Sequence, residues 1–423
     1  MQTKPINRFY RIISSSLLLI AGTLLFINPA SGQMATWESL VKSVPCIRDS
    51  MNRISNDSVV LGKFFQKLHL LEEKSVRRIN IVHIGDSHIQ ADNLSGTLRE
   101  LLQLKFGNAG RGLVFPYAVA RTNSQRGVRS SSTGSWESKR SVVLDNPLPI
   151  GISGFTLKTT SPDASIHMSV SDATGIGYRF NAATFFMPKG RRQYEMYLTD
   201  SSGLKIGMER ENDNSYGSYT SSFEFIEAIS EFTLNFKETD SIQDNAVLHG
   251  VLLENDSSGI LYNTIGVNGA EFRHYSLASD FEVELPALYP DLIIVSLGTN
   301  EAYPIDFDST LFHYNALTML NGLRKACPYA EILITTPPDY YRGSGRRRMK
   351  NKDIRVVRNC LIDICTSNSF ACWDLYEIMG GYGSISTWYS RGLVNRDYLH
   401  FQKKGYELQG FLLFTALMKE YGK

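Results

Sequence analysis

The chain has 423 residues, 43% hydrophobic and 20% charged, a balance that excludes a disordered or low-complexity protein and leaves room for two or three domains. Residues 1–33 hold three Lys/Arg and no Asp/Glu, so the rest carries 41 basic against 42 acidic groups, and no global field points to nucleic acid. The five cysteines, Cys46, Cys327, Cys360, Cys365 and Cys372, are too few and too scattered for a disulfide scaffold, and none forms a Cys-x-x-Cys metal spacing. One bridge among the last three is open on this reading, with at least one thiol left free.

In chain order, Lys4, Arg8 and Arg11 precede an apolar stretch from Ile12 to Ile27, followed by Pro29, Ala30, Ser31 and Gly32. This pattern is that of a secretory signal peptide cut near Gly32. An uncleaved anchor is the competing reading, but Ser14 to Ser16 and Gly22 interrupt a run already short for a span. A helical lead-in over about 35–76 is followed by the strand "INIVHIG" (79–85). Next comes "NLSGTLRELLQLKFG", whose Leu94, Leu98, Leu101, Leu102 and Leu104 share a helical face.

From about 120 to 257 helical periodicity fades. Short alternating runs such as "SIHMSVSD", "YEMYLTD", "FEFIEAISEFTLNFKE" and "AVLHGVLLEN" are separated by turn clusters, the pattern of an antiparallel sandwich. Apolar strands alternating with helices then return: "GILYNTIGV", "DLIIVSLG", "AEILITT" and "FACWDL", with helices at about 308–326, 351–367 and 404–421. Continuous apolar strands alternating with amphipathic helices predict a parallel sheet covered on both faces. The expected organisation is a signal peptide (1–33) and an α/β domain in two parts (34–118 and 258–423) interrupted by a β-sandwich (119–257).

Polar residues sit where these strands end: Ser87 after "VHIGD", Gly269 in "VNGA" and Asn300 in "SLGTNE". The carboxyl ends of a parallel sheet share one edge, so the three can converge on one crevice. "NRDYLHFQKKG" adds Asp397 and His400, spaced so that one helical turn brings the carboxylate to the imidazole. A hydroxyl nucleophile needs a base to take its proton, and the base needs a group that fixes its tautomer. Taken alone, Ser87 is equally a turn or cap residue, Asp86 reads as turn-stabilising, and His88 as a structural side chain near the crevice.

The basic run "YYRGSGRRRMKNKD", with Arg342, Arg346, Arg347, Arg348, Lys350 and Lys352, is by default a solvated loop; the functional alternative is a clamp for an anionic polymer, with Arg342 among its cations and Tyr340 and Tyr341 stacking on sugar rings. Gly107, Gly110 and Gly112 in "GNAGRG" follow a helix and lack a Gly-Lys-Ser/Thr ending, which argues against nucleotide binding. Trp136, Tyr194, Tyr197, Tyr216 and Tyr219 include either a sugar platform or ordinary sandwich core. The eight histidines are dispersed, and no metal constellation is expected.

"GDSH" with Ser87, "VNGA" with Gly269, "GTNE" with Asn300 and "DYLH" with Asp397 and His400 resemble the four ordered blocks of the SGNH (GDSL-type) hydrolases. The resemblance covers roughly 77–117 and 258–423. It implies a flavodoxin-like three-layer α/β/α domain, with Ser87 as nucleophile, His400 as base and Asp397 orienting it. It also implies an oxyanion hole from the N–H groups of Ser87 and Gly269 and the Asn300 amide, without a cofactor. A narrower likeness, carried by "GDSHIQADNLSGTLRELLQLKFGNAGRGLVFP", is to exported bacterial peptidoglycan O-acetylesterases. That branch carries a β-rich, carbohydrate-binding-module-like insertion between the first and second blocks.

The implied function is a serine-dependent carbohydrate esterase, periplasmic or extracellular, that removes O-acetyl groups from peptidoglycan or a related glycan. No nucleic-acid partner and no membrane span after leader cleavage are expected. The rival readings are an O-acetyltransferase using the same triad, and a glycan-binding surface protein with an inactive hydrolase domain.

Overall fold

The computed structural model describes residues 29–55, 60–145, 148–171, 175–188, 190–210 and 220–422. The expected leader falls on residues 1–33, of which 1–28 lie outside the described residues. Its proposed cleavage region at 29–32 begins helix α1 (Pro29–Ser43). No helix among the described residues is long and apolar enough to cross a membrane.

Six strands form the central sheet: β1 (Ile54–Ser55), β2 (Arg78–Gly85), β3 (Gly259–Gly266), β4 (Leu292–Ser296), β5 (Glu331–Thr335) and β6 (Ala371–Trp373). Their order across the sheet is β1-β6-β5-β4-β2-β3. β2 to β6 run parallel, while β1 pairs antiparallel with β6 through Ile54 and Trp373. The five parallel strands, taken in chain order, lie 2-1-3-4-5, the flavodoxin-like arrangement. The crevice at the switch point is therefore outside the carboxyl ends of β2 and β4. Of these six strands β1 is the one the sequence reading lacks: two residues are too few to show a period of two within an otherwise helical lead-in.

The apolar runs of these strands feed both faces. Ile79 and Ile81 of β2 pack with Leu98 and Leu102 of α4 (Leu94–Phe106, after α2, Gly62–Glu72, and α3, Ser87–Gln90). Val82 and Ile84 turn to the other side, the side of Phe312 and Leu320 on α5 (Ser309–Ala326) and Val357 and Leu361 on α6 (Asp353–Asn368). α7 (Lys403–Tyr421) completes the first layer with Leu408 and Leu412. The result is a three-layer α/β/α domain.

The alternating runs form two five-stranded antiparallel sheets. One is built on Ser165–Val170, Glu195–Thr199 and Glu231–Lys237, and the other on Phe180–Phe186, Thr220–Ile229 and Gly250–Glu254. Phe232, Leu234 and Phe236 face inward between the polar Thr233 and Asn235. The Phe232 ring meets Phe180 at 6.0 Å and Phe185 at 5.6 Å across the gap, so the sheets pack face to face.

Gly112–Val114, ahead of the expected start of this region, is also one of its strands, pairing with Gly250–Glu254. The β-rich core is continuous with the α/β domain: Phe115 and Phe155 belong to the same buried cluster as Val267, Tyr275 and the β2 face. A buried His249 Nδ1–Glu284 Oε1 hydrogen bond of 2.6 Å ties the β-rich region to helix Phe281–Glu284. All five cysteines are free, with Cys327, Cys365 and Cys372 buried, so the open bridge of the sequence reading is not formed.

Candidate active site

β2 ends at Gly85, and the chain turns at once into α3. A Cβ at Gly85 would lie 2.3 Å from Ile89 Cγ1 and 2.9 Å from Ser296 O, so only glycine lets the turn close this tightly. Asp86 caps the helix: its Oδ1 accepts from His88 N at 2.9 Å. Ser87 is therefore presented at the first position of α3, half-buried at the sheet edge.

His400 and Asp397 arrive on the loop between β6 and α7. The Val394–Phe401 bridge pinches this loop, and Asn395 N donates to His400 O at 2.8 Å. The expected helical turn is not what joins them. Tyr398 between them adopts φ +57°, and this left-handed residue folds the chain back on itself. Asp397 Oδ1 accepts from the N–H groups of Leu399 and His400, both at 3.0 Å. Its Oδ2 meets His400 Nδ1 at 2.8 Å, and His400 Nε2 meets Ser87 Oγ at 3.1 Å. Residues more than 300 positions apart thus form one hydrogen-bonded chain.

Asn300 follows β4. Its amide donates to Ala270 O at 2.8 Å and to Asp86 Oδ2 at a longer 3.3 Å. Gly269 sits on the loop after β3, whose neighbour Asn268 donates its N–H to Gln90 Oε1 at 2.7 Å. Gln90 is itself held by Thr122 and Asn123. A Cβ at Gly269 would meet nothing within 4 Å; φ of +83° is what requires glycine there. The N–H groups of Ser87 and Gly269 have no acceptor among the described residues.

The electrostatics follow from burial and these bonds. The Asp397 hydrogen bond raises the His400 pKa above its ordinary 6.5, against burial, which acts the other way. Burial opposes ionisation of Asp397, but the bonds from His400 and two backbone N–H groups outweigh it and bring its pKa to about 2. Burial pushes Asp86 up to about 7 and Glu301 up to about 8, in both cases against N–H donors. His88 is buried beside the site, bonded through Nδ1 to Tyr406 Oη at 3.0 Å, its ring 5.7 Å from that of His400. Burial first, and then the His400 charge, depress its pKa to about 3. It is a neutral neighbour, in keeping with its structural reading.

The two expected substrate residues are both engaged within the protein. Tyr340 is fully buried, its hydroxyl donating to Thr299 O at 2.7 Å, and cannot stack on a sugar. Arg342 is held by Asp353 at 2.6 Å and by Pro304 O at 3.0 Å. Sequence shows residue type, and both partners are distant enough along the chain to escape a local reading.

The glycines of "GNAGRG" serve close backbone approach: a Cβ at Gly112 would lie 2.2 Å from Tyr262 O. Arg111 between them enters a buried cluster with Asp92 and Arg99. Tyr194 and Trp136 pack in the sandwich, Trp136 at 5.8 Å from Phe236, while Tyr216 and Tyr219 lie outside the described residues. Among the described residues one group, His249, Asp280 and Glu284, brings possible metal-ligand atoms within 4.8 Å of one another, and it shares no residue with the Ser87 constellation.

Residues 247–408 match the GDSL-like lipase/acylhydrolase family. No curated protein matches the chain. Among solved structures, a peptidoglycan O-acetylesterase is similar over 85% of this chain and 96% of its own, with TM-score 0.70 and 23% identity. A lipase/acylhydrolase from Enterococcus faecalis covers 38% of this chain and 77% of its own at TM-score 0.30 and 21% identity. A family two carbohydrate esterase from Cellvibrio japonicus covers 69% and 99% at TM-score 0.27 and 10% identity. The first likeness shows a fold shared along most of the chain.

Proposed function

Taking the chain as a GDSL-like acylhydrolase, an ester-hydrolysing enzyme of the SGNH group, we propose that it removes O-acetyl groups from peptidoglycan or a related glycan outside the cytoplasm. The observation that carries this reading is the unbroken path from Ser87 Oγ through His400 to Asp397. His400 Nε2 takes the Ser87 proton as Oγ attacks the acetyl carbonyl, and Asp397 stabilises the imidazolium through Nδ1–H. Negative charge then builds on the carbonyl oxygen. The N–H groups of Ser87 and Gly269 and the Asn300 amide are its donors. Of the two bonds the Asn300 side-chain amide donates, the 3.3 Å contact to Asp86 is the weaker, and an oxyanion would take its place.

Collapse of the tetrahedral intermediate expels the sugar oxygen, which receives its proton from His400, and leaves the acetyl group esterified to Ser87. Water then attacks that ester, giving its proton to His400, and acetate departs as Oγ is reprotonated. No step requires a metal or cofactor. The glycan substrate is favoured by the fold shared with a peptidoglycan O-acetylesterase. Export is favoured by the basic and apolar leader that begins at Lys4.

The test is acetate release from O-acetylated peptidoglycan and from O-acetylated xylan by the purified protein. The reading predicts faster release from peptidoglycan, with Ser87→Ala slower by roughly 10⁴- to 10⁶-fold. Acetate release that survives Ser87→Ala would contradict the mechanism, and equal or faster release from xylan would contradict the substrate.

A further inference from the structure

After β5 the chain enters a basic hairpin, Tyr341–Arg342 pairing with Met349–Lys350. Residues 340–352 contain six Lys/Arg and no Asp/Glu, in a chain whose net charge is only +2. Of the six, only Arg342 has a carboxylate partner among the described residues. Arg346, Arg347, Lys350 and Lys352 are exposed, as is Arg396 on the neighbouring loop beside Asp397. Like charges crowded without counter-ions cost stability unless a ligand neutralises them.

The hairpin is locked to both loops that build the site. On one side Tyr341 N donates to Tyr398 O at 2.9 Å, and Tyr398 lies between Asp397 and His400. The Tyr341 and Tyr398 rings stack at 5.3 Å, Tyr389 stacks on Tyr398 at 4.2 Å, and the Arg348 guanidinium lies 4.7 Å from the Tyr398 ring centroid. On the other side Asn351 Nδ2 donates to Ala302 O at 2.7 Å, and Arg342 reaches Pro304 O, both just beyond Asn300. The hairpin that carries these cations is thereby fixed between the loop of Asp397 and His400 and the segment that follows Asn300.

We propose that this hairpin, with Arg346, Arg347, Arg348, Lys350 and Lys352, is a docking rim for the carboxylates of the peptide stems of peptidoglycan, so that a stem-bearing strand is held while an acetyl ester on its sugar enters the site. The inference rests on the esterase reading above and adds to it a recognition element outside the sugar. Free carboxylates repeated along a polymer suit several exposed cations better than one buried anion pocket would. Exposed pairs are individually weak, and several acting together supply the affinity.

The experiment compares three substrates with the wild-type protein and with the R346E/R347E variant. They are nitrophenyl acetate, O-acetylated peptidoglycan, and the same peptidoglycan stripped of its stems by an amidase. Nitrophenyl acetate carries no carboxylate and reports whether the triad is intact. On intact peptidoglycan the variant should raise KM by roughly five- to tenfold with kcat little changed, and added salt should raise the wild-type KM in the same direction.

On stripped glycan, where amidase cleavage removes the stem carboxylates and leaves only a lactyl carboxylate close to the sugar ring, the two proteins should have equal KM, because the hairpin is proposed to meet the stem and not the sugar. Equal KM on intact peptidoglycan would overturn the proposal, as would a KM difference that persists on stripped glycan or an equal loss on all three substrates. Wild-type turnover of nitrophenyl acetate with no acetate released from either glycan would instead sink the glycan-esterase reading. The charge-conserving R346K/R347K variant should behave as wild type; a KM raised as far as in R346E/R347E would assign the effect to guanidinium geometry and overturn the charge argument.

Discussion

His400 is the residue on which the pH behaviour turns. As the proposed base it works only when neutral, and the hydrogen bond it donates to Asp397 holds its proton more firmly than in a free imidazole. kcat/KM for a small ester should therefore rise with pH through a midpoint above 6.5, flat above and falling about tenfold per pH unit below. Asp397→Asn removes the main cause of the raised value, so its midpoint should move down while the plateau drops by roughly 10²- to 10⁴-fold. A pH–rate profile of both proteins checks this, and a midpoint unmoved by the substitution would contradict the assignment.

At this scale the constellation of Ser87, Gly269, Asn300, Asp397 and His400 was legible because each residue lies in a short local pattern at the end of a recognisable strand or before a recognisable helix. The surroundings of Tyr340 and Arg342 were hidden for the converse reason. Their roles are set by Thr299 and Asp353, and no local pattern announces those partners. The left-handed Tyr398 was equally hidden, because nothing in its type asks for φ +57°.

Elements after β2 are held in place by a buried charge cluster. Asp92, just past the end of α3 and itself at φ +57°, accepts from Arg99 Nη1 on both carboxylate oxygens, at 2.8 and 2.9 Å, and from Arg111 Nη2 at 2.7 Å. All three side chains are at most 1% exposed. Arg99 belongs to α4 and Arg111 to the glycine-rich segment, so a single carboxylate fixes α3, α4 and the strand beyond. Asp92→Ala would leave two guanidinium groups buried without a counter-charge, and urea unfolding should show a loss of about 3–5 kcal/mol. A loss below about 1 kcal/mol would mean that water or another group satisfies them.

The parallel strands were legible as uninterrupted apolar runs, and the sandwich strands as alternation. The role of "GNAGRG" was not, because close approach to Tyr262 is a property of the folded pair of segments.

Among the described residues, the β-rich region and the α/β domain share one buried cluster, to which Phe115 and Phe155 belong together with Val267 and Tyr275. The sequence suggests a separable insertion, since composition changes sharply near residue 120, whereas strand Gly112–Val114 already belongs to the β-rich sheet. The interface was invisible in the sequence because an apolar residue reads the same whichever domain it packs against. This shared core sets the sheet edge on which the loops after β2, β3, β4 and β6 converge.

Covalent trapping tests most directly whether that convergence makes Ser87 a nucleophile. Treating the full chain with a fluorophosphonate and mapping the adduct by peptide mass spectrometry should give one modified residue, Ser87, with labelling strongly slowed in His400→Ala. Labelling at another residue, or full ester hydrolysis by protein in which Ser87 stays unmodified, would contradict it.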